Sequence, residues 1–236
     1  PNGRLMRLHM GEHDGRMEIR SREPAVGQEW QLNGVARMLQ ETCGSLLERP
    51  APQRPTRAPD YTLEQHLAMA EHLGLHYSDA FQAIAHGWIE DNRVVGEIIA
   101  NEPLLASQQG LHLHPGLLDR AFQMFIPLLA QLDTASLAFV PVRVGRIQLD
   151  TQAGMPTLAH AVMGKRSPHS FTADFELFDA QGKAVAILSE VRFKAIRLNR
   201  SHDQALSYLD IQLTPAPLES SGLSTPDDAM ARLGNL

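Results

Sequence analysis

Residues 115 to 132, PGLLDRAFQMFIPLLAQL, constrain the fold more than any other part of this sequence. Pro115 suits the first turn of a helix, where its missing N–H costs nothing. A broad apolar arc then holds Leu118, Phe122, Phe125, Ile126 and Leu129 at helical spacing. The pattern predicts a helix over 115–132 that Pro127 kinks or locally breaks. Four strand candidates follow it at 138–149, 157–163, 169–178 and 184–198. The last two flank Asp179-Ala-Gln-Gly182, which reads as a hairpin turn. One long buried helix followed by an antiparallel meander is an α+β arrangement, with the helix wrapped by the sheet.

Upstream, Thr62 to Gln65 reads as a capping box opening a helix to about Leu73, with Gly74 as its stop. Residues 86–100 suggest a strand and a turn. At the N-terminus, RLMRLHM (4–10) and RMEIRSR (16–22) alternate apolar and polar side chains, as two strands joined by a turn would. Residues 44–60 carry four prolines and several arginines, a linker composition that returns in the tail beyond about Leu213. The chain divides on this reading into an N-terminal piece at 1–43, a linker at 44–60, a main body at 61–200 and a second linker at 201–236.

Several function classes are set aside by charge and composition. The net charge is −6 and no Lys/Arg cluster offers a footprint for phosphates, so no nucleic-acid partner is expected. No apolar run approaches the ~20 residues that span a bilayer. PNGRLMRLHM lacks the apolar core of a signal peptide, and Cys43, the single cysteine, has no partner for a disulfide. A cytoplasmic setting is expected. Since the first residue is not Met, the chain reads as cut from something longer. His66, His72, His76, His86 and His169 share no ligand spacing, and Gly74 separates His72 from His76, so no metal site is expected.

Asp119 and Gln123 lie four residues apart and so share a face of the predicted helix. Phe122 and Ile126 flank Asp119 at the edge of the apolar arc. A carboxyl half sunk among apolar groups has its charged form disfavoured, holds a proton nearer neutral pH and can serve as a general acid. Gln123 can orient it by a side-chain hydrogen bond. The spacing alone equally allows Asp119 to be a solvent-edge residue placed near the helix start by the dipole.

A resemblance weights the first alternative. HPGLLDRAFQ at 114–123 resembles the HPALLDxxxQ motif in the second hot-dog of polyketide synthase dehydratase domains, with His114, Pro115, Leu117, Leu118, Asp119 and Gln123 in register. GLHYSDAFQAI at 74–84 is similar to the family's GxxYGPxFQ segment at Gly74, Tyr77, Phe81 and Gln82. FVPVRVGRIQL (139–149) resembles the strand after the helix, VRFKAIRL (191–198) the final strand and IRSREPAVGQEWQLNG (19–34) the close of the first hot-dog, so the likeness runs over residues 4–200. It implies a double hot-dog whose first half is incomplete in this chain. Asp119 is then the catalytic acid and Gln123 its partner, while Tyr77, Phe81, His114, Pro115 and Leu118 border the substrate. It implies removal of water from a β-hydroxyacyl thioester to give an α,β-enoyl thioester. No cofactor is implied, since the substrate rides on the phosphopantetheine of an acyl carrier protein. That carrier and neighbouring synthase domains are the implied partners, with a homodimer among the arrangements allowed.

Three departures stand out. Ser78-Asp79 replaces the family's Gly-Pro, and Asn33 stands where a histidine usually follows the tryptophan. More consequentially, the family's base histidine lies in HxxxGxxxxP, and no histidine here opens that pattern. His112 has Gly116 but then Ala121; His160 has Gly164 but its proline, Pro168, comes one residue early. The histidine is expected upstream of residue 1, with the rest of the first hot-dog. A non-catalytic double hot-dog that organises the synthase or binds its carrier, and a double-bond-shifting or ring-closing relative, remain as alternatives. The aspartate that such relatives often lose favours dehydration.

Overall fold

In the computed structural model, residues 3–11, 13–24, 29–39, 49–77, 81–82, 84–131 and 137–198 are described. They fall into two units, one within residues 1–39 and the other within 40–202. Ser78-Asp79, Cys43 and the tail from 201 lie outside the described residues.

The first unit is a three-stranded antiparallel sheet of β1 (Leu5–Met10), β2 (Arg16–Arg22) and β3 (Gln31–Arg37). The hairpin expected at 4–10 and 16–22 is present, with Met10 opposite Met17 and Leu5 opposite Arg22. β3, which carries Asn33, was not expected as a strand. Trp30 just before it lies under two guanidinium groups, Arg7 at 4.4 Å and Arg22 at 4.9 Å.

In the second unit, residues 49–60 have no regular secondary structure, yet they lie on the sheet. Arg49 pairs with Glu176, Arg54 with Glu97 at 3.0 Å, and Ala51 packs against Leu158, Phe178, Ala184 and Ile187. After the short strand β4 (Tyr61–Thr62) comes α1 (Leu63–His72). The capping box is complete: the Gln65 N–H donates to Thr62 Oγ1, and the Thr62 N–H to Gln65 Oε1 at 2.9 Å. Gly74 takes φ of +80° just past the end, a conformation that suits glycine. The single strand expected at 86–100 is a hairpin of β5 (Ile84–Glu90) and β6 (Arg93–Ile98).

A short helix that the sequence pattern did not announce, α2 (Glu102–Ser107), is capped by Asn101. The expected helix at 115–132 is two helices, α3 (Pro115–Gln123) and α4 (Phe125–Ala130), broken at Met124. Pro127 is the cause. It has no N–H to give the carbonyl four residues back, that of Gln123, so the ladder fails where α3 ends.

The meander is antiparallel throughout: β7 (Ala138–Arg143), β8 (Arg146–Leu149), β9 (Pro156–Ser167), β10 (Ser170–Asp179) and β11 (Ala184–Ile196). The sheet order is β4-β5-β6-β9-β10-β11-β7, with β8 also pairing β11. The strand expected over 138–149 is interrupted because β11 bulges at Glu190, where φ is +54°. Gly145 fits against that bulge; a Cβ there would meet Glu190 Cβ at 2.8 Å. His160 lies inside β9 opposite Glu176, within the strand expected at 157–163.

The α3 and α4 residues Leu117, Ala121, Met124, Phe125 and Leu128 pack into the sheet's concave face against Ala161, Phe171, Phe175, Leu177 and Phe193. Phe171 and Phe193 stack at 4.5 Å, and Phe125 meets Phe171 and Phe175 edge-on. Each such pair is worth about 0.5–1.5 kcal/mol beyond the area it buries. This is the hot-dog arrangement, a central helix wrapped by antiparallel strands.

Candidate active site

Asp119 is the fifth residue of α3, beyond the first turn in which a helix dipole acts. Its side chain is half-buried, and burial raises its pKa above the usual carboxylate range. Opposing that, Gln123 Nε2 donates to Asp119 Oδ2 at 2.7 Å, which favours the charged form. The same Nε2 donates to the Phe81 carbonyl at 3.0 Å. Gln123, 3% exposed, therefore has both of its N–H groups engaged, one by the carboxylate and one by the backbone of the segment that follows Tyr77.

Tyr77 is partly buried, and its phenol is pushed up, first by burial and then by the charge of Asp119. The structure thus gathers Asp119, Gln123, Tyr77 and the Phe81 carbonyl. The Phe81 ring itself is 43% exposed. Leu118 packs at the margin of the core. His114 and Pro115 serve a different purpose locally. His114 is the N-cap of α3, its Nδ1 accepting from the Gly116 N–H at 2.9 Å, and Pro115 is the exposed first helical residue. The other ring nitrogen of His114 meets Ser107 Oγ at 3.0 Å, tying α3 to α2. Burial, then the neighbouring charge of Arg120, lowers the His114 pKa and keeps the ring neutral.

Two residues that the sequence reading did not single out hold the site. Arg120 is 0% exposed and donates to the Ile99 carbonyl and, at 3.0 Å, to Asn101 Oδ1. It anchors α3 beside Asp119 to the loop that opens α2. His66 on α1 is also 0% exposed, and burial pushes its pKa down to about 4. The neighbouring Gln123 carboxamide raises it in partial opposition. A sequence signal for His66 existed: it is a polar residue on the apolar face that Leu63 and Ala70 define.

A cavity of about 310 Å³ is lined by Met69, His72, Leu73, Leu129 and Leu137, without Asp119. Among the described residues, no three or more His, Cys, Asp or Glu side chains gather as metal ligands. No helix among them is long and apolar enough to cross a membrane.

Comparison with known proteins gives this geometry a context. Residues 49–203 match the family model described as polyketide synthase dehydratase N-terminal domain. The dehydratase domain from the CurJ module of curacin polyketide synthase superposes with a TM-score of 0.63 at 17% identity, over 82% of this chain and 69% of that one. The dehydratase domain of PpsC from Mycobacterium tuberculosis, solved with C12:1-CoA, gives 0.60 at 18% identity, over 82% and 68%. GphF dehydratase 1 gives 0.60 at 24% identity, over 81% and 68%. At these identities the structural likenesses establish the fold. No curated protein sequence matches the chain.

Proposed function

Since the chain belongs to the polyketide synthase dehydratase family, we propose that it removes water from a β-hydroxyacyl thioester carried on the phosphopantetheine of an acyl carrier protein. The observation that carries this reading is the Asp119–Gln123 pair on α3, a half-buried carboxyl with a raised pKa held in one orientation. Such a group supplies the proton that turns the β-hydroxyl into departing water. A base takes the α-proton, and the electron pair of that C–H bond becomes the new double bond of the α,β-enoyl product. No histidine of this sequence opens HxxxGxxxxP, so we assign the base to another segment of the synthase. The chain by itself should turn over weakly.

Residues 61–200 are read as the second hot-dog of the pair. The matching family model is named for an N-terminal domain; the assignment to the second half rests instead on HPGLLDRAFQ, the motif that carries the acid. Tyr77 and Leu118 are read as bordering the acyl chain. His114 and Pro115 contribute by starting α3 in the right direction, which is a positioning role.

The test is to load a β-hydroxyacyl group on the carrier protein of the parent synthase and follow loss of water by mass spectrometry. The intact synthase should convert it to the enoyl thioester, and one lacking residues 49–203 should not. A β-hydroxy product left unchanged by the intact synthase would sink the enzymatic reading and bring forward the non-catalytic scaffold.

A further inference from the structure

Behind Asp119, polar atoms of Gln123 and His66 are buried without a hydrogen-bond partner. With both N–H groups of Gln123 engaged, only its carbonyl, Oε1, is left; it is buried and has no partner of normal geometry. Both ring nitrogens of His66 are likewise buried without a partner. Buried polar groups in folded proteins are almost always paired, and here an unmet acceptor lies beside a ring that carries an N–H in either neutral tautomer. The groups facing His66 are Gln123 from α3 and the Tyr61 ring, whose centroid is 5.9 Å away. Neither is charged. Beyond Gln123 lie the titratable groups Asp119 and Tyr77.

We propose that His66 is a positioning residue whose ring N–H donates to Gln123 Oε1, locking the carboxamide with its NH2 toward Asp119. A small turn of the imidazole completes the bond. Burial keeps the ring neutral at physiological pH, with a single N–H to give.

The lock matters most when Asp119 is protonated. A carboxylate repels Oε1 and so holds the amide the right way round without help. A carboxylic acid does not: a turned amide can accept the acid's O–H on Oε1, and the proton then faces Gln123 instead of the substrate. With Oε1 already held by His66, the amide continues to donate to one carboxyl oxygen, and the O–H on the other stays available. This consequence for dehydration rests on the reading of Asp119 as the acid; the lock itself does not.

The experiment titrates the full chain, 13C-labelled at aspartate carboxyls, by NMR, with the Asp119 resonance identified by its loss in Asp119→Asn. In His66→Leu the amide is released, so the protonated acid gains an acceptor and the carboxylate loses a fixed donor. Both changes move the Asp119 pKa upward. His66→Gln keeps a donor for Oε1 and should restore the parental titration. In the synthase, His66→Leu should lower kcat for dehydration with little change in KM, and His66→Gln should recover it. A folded His66→Leu chain with the parental Asp119 titration overturns the proposal, as does a His66→Gln chain that moves as far as His66→Leu. Should His66→Leu not fold, 15N NMR of the parent decides. One ring nitrogen protonated in a single tautomer is expected, and a ring averaging between tautomers would overturn the lock. If Asp119→Asn still dehydrates while His66→Leu shifts the titration, the lock stands and the acid reading fails.

Discussion

Gln123 donates one amide N–H to Asp119 Oδ2 at 2.7 Å and the other to the Phe81 carbonyl at 3.0 Å, so one side chain joins the carboxyl on α3 to the segment after Tyr77. That double attachment orients the carboxyl and moderates the rise in its pKa that burial imposes. Gln123→Ala should remove both bonds. The Asp119 pKa should climb further, and dehydration by the synthase should fall about tenfold to a hundredfold, the equivalent of ~1.5–3 kcal/mol for a bond to a charged group. Unchanged turnover with an unchanged titration would show that the amide is a bystander.

Arg120 predicts a stability effect separable from the chemistry. Its guanidinium is fully buried and holds the Ile99 carbonyl and Asn101 Oδ1. Arg120→Met fills the space but takes its donor from the Ile99 carbonyl, at a cost of about 1–3 kcal/mol, while Asn101 Oδ1 keeps the Leu104 N–H. The urea midpoint should drop accordingly. A midpoint equal to the parent's would mean that water reaches the Ile99 carbonyl.

His66 gives a dependence on pH. Its pKa is about 4 in the folded chain against an ordinary 6.5, so between those values the unfolded chain binds the extra proton. The stability it contributes is fully present above pH 6.5 and is lost as pH falls through about 4, by about 3 kcal/mol at most. Urea unfolding of the parent across that window should show the loss, and His66→Leu should lack this component. Parallel acid profiles for the two chains would contradict the buried neutral ring.

The fold was legible where local pattern and tertiary structure agree. The capping box at Thr62 and Gln65, the apolar arc of α3 and α4, and the alternation of β9 to β11 all follow from side chains meeting one core face. Legibility failed where a partner distant in sequence decides. The interruption between β7 and β8 depends on the bulge at Glu190, some 45 residues on. β9 runs to Ser167 because Arg166 and Ser167 pair with Phe171 and Ser170 of β10 although its last four residues are exposed, so apolar periodicity marks its end too early. Within the site, the i,i+4 spacing announced Asp119 and Gln123. Arg120 was hidden because burial of an arginine is set by the packing around it, which spacing does not encode, whereas His66 was marked by its place on the apolar face with Leu63 and Ala70.

Asp119→Asn in the intact synthase tests the central claim most directly, because it preserves the size of the side chain and a bond to Gln123 while removing the transferable proton. Asp119 lies past the first turn of α3, so loss of its charge should cost less than ~1 kcal/mol of stability through the helix dipole. Thermal midpoint and loss of water from a carrier-bound β-hydroxyacyl group are measured on the same preparations. The account predicts a midpoint near the parent's and dehydration reduced by about 10²–10⁴-fold. A lowered midpoint with dehydration at the parental rate would contradict it and leave Asp119 as a structural residue.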